Sequence, residues 1–176
     1  MTTEFSRVER LDTIGGEDRQ VTIEADEAER LALARRFGLV ALDRLTATFA
    51  IRRDAGAVIA RGHVSAAVVQ SCTVTGNPLP ARVEEDVALR FVEAITATDG
   101  EEEVELSGEA LDTIEIEGGG IDLGETAAET MALALDPFPR SPDAAAVLKQ
   151  AGVLSEEEAG AFGALAELKA KLEGKA

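Results

Sequence analysis

The side chain in this sequence with the widest range of possible chemistry is that of Cys72, the only cysteine among 176 residues. A thiol becomes a nucleophile or a metal ligand when a neighbouring base or cation lowers its pKa. His63 is the only histidine, and the sequence does not place it beside Cys72. A single cysteine also excludes an internal disulfide and a cysteine-based zinc cluster within one chain. A buried packing role is therefore the favoured interpretation of Cys72, with a reactive or metal-binding role as the alternative.

The other chemically suggestive patterns are similarly weak. His63 shares a predicted strand face with Arg61 and Ser65, which favours an exposed position. Acidic clusters at residues 84–86 and 101–103 lack the ligand spacing of a calcium loop, so we expect solvated surface or, alternatively, a docking site for a basic protein. The triple glycine at 118–120 is not followed by the Lys-Ser or Lys-Thr pair of a phosphate loop. We expect no catalytic residue, no metal site, no cofactor and no enzymatic activity.

Charge divides the sequence into two parts. The chain has 34 acidic and 17 basic residues, a formal net charge of −17, and between residues 84 and 130 sixteen acids face a single basic residue, Arg90. Such a field repels a phosphate backbone, so DNA is not an expected partner, and attracts a basic protein. The first 61 residues are nearly neutral and hold ten arginines. Five basic residues of this part have two interpretations. They could contact RNA, or they could have local roles at a helix end and on the surface. They are Arg35, Arg36, Arg44, Arg52 and Arg53.

Periodicity predicts the elements that would position these side chains. Residues 4–11 and 20–24 are expected to form two short strands around a turn, followed by a helix that Asp26 and Glu29 begin with a capping box. Alternation over 42–53, 57–71 and 83–91 predicts strands with one apolar and one polar face, and Asp54-Ala55-Gly56 predicts a hairpin turn. Residues 111–117 alternate again, and a helix is expected from about Glu125 to Leu135. A capping box at Ser155 predicts a last helix whose apolar stripe reaches Leu172.

The fold class that follows is α+β. We expect an antiparallel sheet, barrel-like as one option, with an N-terminal helix, a helix after the triple glycine and a C-terminal helical segment. The predicted domains are residues 1–145 and a helical appendage at 146–176. No run of about 18 apolar residues occurs, and the first twenty residues lack the pattern of a secretory signal, so a cytoplasmic protein without a membrane partner is expected.

Two stretches in series resemble the YceD-like family, the large ribosomal RNA subunit accumulation proteins. They are VVQSCTVTGNPLPARVEEDVALRF at residues 68–91 and IDLGETAAETMALALDPFPRSPDA at residues 121–144. The resemblance covers about residues 4 to 145. Its matching positions are Cys72, Asp122, Leu123, Gly124, Glu125, Asp136, Pro137, Phe138, Pro139 and Arg140. Many relatives carry Cys-x-x-Cys at the first block, whereas this chain has Cys72 and Thr75, which puts a zinc role in doubt here.

The resemblance implies a bacterial cytoplasmic factor that promotes accumulation of 23S ribosomal RNA and large-subunit biogenesis, without catalysis. Precursor rRNA or a basic large-subunit ribosomal protein would be the partner. Six residues of the second block are the candidates for partner binding: Asp122, Glu125, Asp136, Phe138, Pro139 and Arg140. The alternative is an acidic binding module or chaperone for a basic protein unrelated to ribosomes.

Overall fold

The computed structural model describes residues 3–93, 112–116 and 118–153. Contacts group the chain into two compact units, residues 1–70 with 80–137 and residues 71–79 with 138–176. The mixture of helices and strands confirms the α+β class. The described elements are β1 (Val8–Arg10), a short 3-10 helix (Leu11–Thr13), β2 (Arg19–Glu24), α1 (Glu27–Arg36), β3 (Ala41–Asp54), β4 (Ala57–Ser71), β5 (Pro78–Glu93), β6 (Asp112–Ile116), β7 (Gly120–Asp122), α2 (Leu123–Ala134) and α3 (Ala144–Gln150).

The main sheet has the strand order β2-β3-β4-β5-β6. The β2–β3 and β3–β4 pairs are antiparallel, but β5 and β6 are parallel, with Leu89 opposite Asp112 and Glu93 opposite Ile116. The prediction of an entirely antiparallel sheet is therefore wrong at this pair, because alternation identifies a strand without giving its direction. The described strands do not close on themselves, and the barrel-like option is not confirmed.

The first strand, β1, pairs with a strand that is far away in the sequence. β1 is antiparallel to β7, with Val8 opposite Asp122 and Arg10 opposite Gly120, and the two form a separate sheet. We expected residues 4–11 to form a strand ahead of the turn that leads to β2. The strand exists but is shorter, and the 3-10 helix that follows it turns the chain away.

The β3–β4 hairpin consists of two neighbouring strands of the main sheet. Its strands meet at Asp54 and Ala57, leaving a two-residue loop of Ala55 and Gly56. Both loop residues have positive φ, 46° and 84°, as the tight turn that matches strand twist requires. One face of the hairpin is apolar and buried, and both α1 and α2 contact β3. The fully buried side chains of this unit include Phe5, Leu33, Leu45, Phe49, Ile51, Val64, Leu123 and Met131.

The two helices of the first unit begin at acidic caps. Asp26 accepts a hydrogen bond from the Glu29 backbone amide, and the Glu29 carboxylate accepts one from the Asp26 amide, which completes the predicted capping box. Helix α2 begins at Leu123 with Asp122 as its N-cap, two residues before the predicted start. An acid at this position also favours the positive end of the helix dipole.

The described part of the second unit consists of a turn and α3. In the turn, the Cys72 amide donates to the Asn77 carbonyl at 2.8 Å, and the Gly76 amide donates to the Cys72 carbonyl at 2.9 Å. The acidic cluster at 101–103 and the predicted last helix lie outside the described residues. The predicted domain boundary after residue 145 stays a prediction.

Candidate interaction surface

Asp122 is the most heavily bonded of the predicted partner-binding residues. Its Oδ1 accepts hydrogen bonds from the backbone amides of Arg7 (2.7 Å), Gly124 (3.0 Å) and Glu125 (3.2 Å). Its Oδ2 accepts from the Ser6 hydroxyl at 2.6 Å. The carboxylate therefore joins the N-terminal segment to the start of α2, and its acceptor capacity serves the fold.

Glu125 is also committed within the protein. Both of its carboxylate oxygens accept from the Arg36 guanidinium, at 2.6 and 2.9 Å, and the same arginine donates to Glu4 at 3.0 Å. Bidentate pairing of this kind fixes orientation as well as charge. Arg36 thus connects α1, α2 and the N-terminal segment. A candidate for RNA contact, Arg36, and a candidate for partner binding, Glu125, are therefore bonded to each other.

A second bidentate pair lies next to the first. Arg7 donates to both Glu29 oxygens at 2.7 and 2.9 Å and stacks over the Phe5 ring at 4.7 Å. The hydrogen bond from Arg7 is the main cause that lowers the pKa of Glu29. We call the group Glu4, Ser6, Arg7, Glu29, Arg36, Asp122 and Glu125 the N-terminal clamp, because it holds the start of the chain against α1 and α2.

The remaining partner-binding candidates differ in exposure. Asp136 is exposed, and its backbone carbonyl accepts from the Gln70 side chain at 2.9 Å. In the second unit, Phe138 is 70% exposed and Arg140 is exposed. The Pro139 carbonyl accepts from the Thr73 amide at 2.9 Å and from its hydroxyl at 3.2 Å. Phe138 and Arg140 are therefore presented to solvent, while Pro139 anchors the backbone of the second unit.

The five candidate RNA-contacting arginines do not form one patch of exposed charge. Arg36 belongs to the N-terminal clamp, and Arg53 donates to the Leu11 carbonyl at 2.6 Å. Arg52 pairs with Asp54 at 3.2 Å and lies 3.8 Å from Asp18. Four of the five are exposed, and Arg52 is half-buried. Within the described residues, Arg35 on α1 and Arg44 on β3 form neither a salt bridge nor a side-chain bond to a backbone carbonyl, so their charges are the ones left available to a phosphate.

His63 lies on the exposed face of the main sheet, as predicted. Its Nδ1 is 2.8 Å from Asp86 and its Nε2 is 2.9 Å from Glu84, and Glu84 also accepts from the Ser65 hydroxyl at 2.9 Å. Hydrogen bonding to Asp86 and then to Glu84 raises the pKa of His63 above its usual value. We call His63, Ser65, Glu84 and Asp86 the histidine face. Its two carboxylates lie at opposite nitrogens of the ring, so they do not converge on a common ligand.

Cys72 is buried, with 3% of its surface exposed, in agreement with the favoured interpretation. The Sγ atom lies 3.3 Å from the Ser141 hydroxyl and accepts from the Ser141 and Thr75 amides at 3.3 and 3.4 Å. Burial alone would raise the pKa of the thiol, but these donors together lower it to about 6. Within the second unit Cys72 thus connects residues 72–77 to Ser141.

Among residues 3–93, 112–116 and 118–153, no group of three or more His, Cys, Asp or Glu side chains is placed to hold a metal ion. Within the same residues, no helix has the length and apolar character needed to cross a bilayer.

Comparison with known families identifies the chain's relatives. The family model for "Large ribosomal RNA subunit accumulation protein YceD" matches residues 60–169, which is more than half of the chain. The chain belongs to the YceD family. No curated protein and no solved structure matches it.

Family membership confirms the resemblance read from the two sequence blocks, since residues 68–91 and 121–144 both lie inside the matched region. The range differs from the one we expected: it begins at residue 60 and continues past residue 145. Asp122 and Glu125 of the N-terminal clamp therefore lie in the YceD region, whereas their partners Arg7 and Arg36 precede it. Thr75, three residues after Cys72, donates its amide to the Cys72 sulfur at 3.4 Å.

Sequence reasoning missed Glu4, Ser6, Arg7 and Glu29 as members of the clamp. Glu29 was assigned to the capping box alone, yet its Oε2 accepts from both the Asp26 amide and Arg7. Two sequence features could have indicated it: the nearly equal numbers of acidic and basic residues in the first 61 positions, and the acidic residue at the start of α2. Both features suggest that charges pair within the protein, but neither says which residues pair.

Proposed function

We propose that this YceD-family protein is a non-catalytic factor of the bacterial cytoplasm that promotes 23S rRNA accumulation and large-subunit assembly. The observation that carries the proposal is the family match over residues 60–169. The family description concerns accumulation of large-subunit ribosomal RNA. A small acidic protein could affect that accumulation by acting as an assembly factor for the subunit.

The mode of action proposed is binding. The sequence offers one thiol and one imidazole. The described hydrogen bonds of Cys72 go to Ser141 and Thr75, and those of His63 go to Asp86 and Glu84, which supports a role without a nucleophile–base pair. Nuclease or hydrolase activity that disappears in Cys72→Ala or His63→Ala would overturn this part of the proposal.

A basic large-subunit protein is the partner that the charge favours. The net charge of −17 opposes RNA and attracts a protein rich in lysine and arginine. Precursor rRNA is the second candidate, and the exposed Arg35 and Arg44 are the residues that favour it. The contribution of Asp122 and Glu125 would be indirect, since both hold the N-terminal clamp together.

The experiment is deletion of the gene in its bacterial host, with measurement of the 23S to 16S rRNA ratio and of free and assembled subunits in sucrose gradients. The expected result is a fall in 23S rRNA and in free large subunits that the wild-type chain restores. The variant Arg35→Glu/Arg44→Glu tests direct RNA contact, and Glu17→Lys at another exposed site is its control. An unchanged ribosome profile on deletion contradicts the proposal.

The alternative function is an acidic binding module or chaperone for a basic protein outside the ribosome. The same net charge favours it, because an electrostatic field attracts any basic partner. Affinity capture at low and high salt separates the two functions. Salt-sensitive enrichment of large-subunit proteins or precursor rRNA supports assembly, and a single non-ribosomal basic partner supports the alternative.

A further inference from the structure

An elongated groove runs along helix α2, between the helix and strands β5 and β6. It consists of two hollows of about 510 and 610 Å³, which share Ile114, Thr126 and Glu129 in their linings. All of the described residues that line it belong to the first unit. On α2, residues 126, 129, 130 and 133 line it at the spacing of a single helix face.

The groove has exposed apolar side chains. Val87 of β5, Ile114 of β6 and Leu133 of α2 line the first hollow, together with Leu89, which is buried. Leu133 is 87% exposed, and Ile114 is 36% exposed. Removing such side chains from water is favourable, so this surface favours an apolar occupant.

Acidic residues surround this apolar surface. The acids of the first hollow are Glu85, Asp86, Asp112 and Glu129, and those of the second are Glu115, Asp122, Glu125 and Glu129. Three of these acids are bonded elsewhere: Asp86 to His63, and Asp122 and Glu125 within the clamp. The described lining of both hollows includes no lysine, arginine or histidine. Within the described chain, no salt bridge involves Glu85, Asp112 or Glu129, in contrast to the paired acids of the clamp.

Glu85 breaks the pattern of its own strand. It falls on the same side of β5 as Val83, Val87 and Leu89, where alternation calls for an apolar residue. Its side chain nevertheless is exposed and lines the groove. A charged residue that contradicts the local pattern, without a described partner to compensate it, is typical of a functional position.

We propose that this groove binds a basic amphipathic segment of a protein partner, with apolar side chains against Ile114 and Leu133 and lysines or arginines against Glu85, Asp112 and Glu129. The inference rests on the proposed function in taking the partner from the basic proteins that such a factor meets. RNA is a poor occupant because the lining has the same charge as a phosphate backbone. A second copy of the chain carries a net charge of −17 and would be repelled.

The test uses the full-length protein and a fluorescent synthetic peptide with leucine and lysine at amphipathic helical spacing. A second peptide has serine in place of every leucine and the same charge. Fluorescence anisotropy should show the leucine peptide binding about tenfold more tightly than the serine peptide, because apolar contacts add to charge attraction. Leu133→Ser/Glu129→Lys should weaken binding of the leucine peptide about tenfold.

Leu31→Ser/Glu17→Lys is the matched control, since it removes another leucine with 54% exposure and reverses another exposed acid without touching the groove. It should change the affinity less than about twofold. Equal loss in both variants, or equal binding of the two peptides, overturns the inference in favour of nonspecific charge attraction. Tighter binding of single-stranded RNA than of the leucine peptide, or dimerisation that Leu133→Ser abolishes, also overturns it.

The outcomes separate this inference from the proposed function. If gene deletion lowers 23S rRNA and Leu133→Ser/Glu129→Lys restores it fully, the groove inference fails while the assembly function stands. If deletion leaves the ribosome profile unchanged but the groove variant still loses the peptide, the assembly function fails and the groove stands.

Discussion

The N-terminal clamp and the histidine face use similar chemistry in different ways. Both place arginine or histidine nitrogens against carboxylates at 2.6–3.0 Å. In the clamp, the pairs are partly buried and share partners, with the Arg36 and Glu125 side chains 31% and 21% exposed. On the histidine face, His63 and Asp86 are 48% and 94% exposed. Solvent and salt weaken the second set, so the comparison predicts that the clamp stabilises the fold while the histidine face mainly responds to pH.

The clamp should fail most completely at Asp122. Replacing it with alanine removes the helix cap and leaves the Arg7 amide without its acceptor, so unfolding should require about 3 kcal/mol less. Chemical denaturation measures this change. Asp143→Ala is the matched control, because Asp143 is the N-cap of α3 and makes no side-chain cap hydrogen bond. A loss of equal size in the two variants would contradict the assigned role of Asp122.

Gly124 offers a sharper test of how closely the clamp packs. Alanine normally stabilises a helix relative to glycine. Here an added Cβ would lie 2.5 Å from the Phe5 carbonyl oxygen and 3.0 Å from the Arg7 nitrogen. We therefore expect Gly124→Ala to lower stability by about 2 kcal/mol. Thermal and denaturant unfolding measure it, and a neutral or stabilising result would show that the N-terminal segment is not held against α2.

The Arg36–Glu125 pair shows how much partial burial adds to the coupling free energy of a salt bridge. A double-mutant cycle with alanine at each position should give a coupling free energy of about 1 kcal/mol. The Arg10–Asp12 pair is the control, with the same 2.6 Å contact but side chains 73% and 61% exposed. Its coupling should be close to zero. Equal couplings would remove the distinction between clamp and surface.

His63 should give the smallest effect on stability and the clearest dependence on pH. Its pKa is raised in the folded state by Asp86 and Glu84. Its stabilising contribution is therefore complete below the unfolded pKa, and it is lost as pH rises through the folded pKa. Because the chain has one histidine, NMR titration of the imidazole reports this group alone.

The pKa of His63 should be above about 6.5 in the wild-type chain and fall in Asp86→Asn and in Glu84→Gln. Glu17→Gln, at an exposed acid away from the histidine face, should leave it unchanged. An identical pKa in all four proteins contradicts the arrangement of the histidine face.

Elements set by local patterns were predictable from sequence. Alternation and the turn residues Ala55 and Gly56 gave the β3–β4 hairpin nearly to the residue, and the Asp26–Glu29 pattern gave the start of α1. Cys72 and His63 took the buried and exposed positions expected of them. Each of these features depends on neighbours in sequence, where propensity and periodicity act.

Long-range pairing was not predictable in the same way. Nothing in the alternation of β1 indicates that its partner is β7, or that β6 lies parallel to β5. RNA contact is one interpretation of the five arginines because sequence shows charge without partners, and the structure places Arg36 and Arg53 in intramolecular bonds. Glu85 could be noticed from its strand position, but its place in a groove depends on α2 and β6.

The pairing of β1 with β7 has a consequence for the order of events during synthesis. During synthesis β1 has to wait for β7, because Val8 has no partner in this sheet until Asp122 has emerged. Contacts of such separation in sequence slow folding. β1 therefore stays undocked while the strands between it and β7 are made, and this part of the unit is completed only after β7 has left the ribosome.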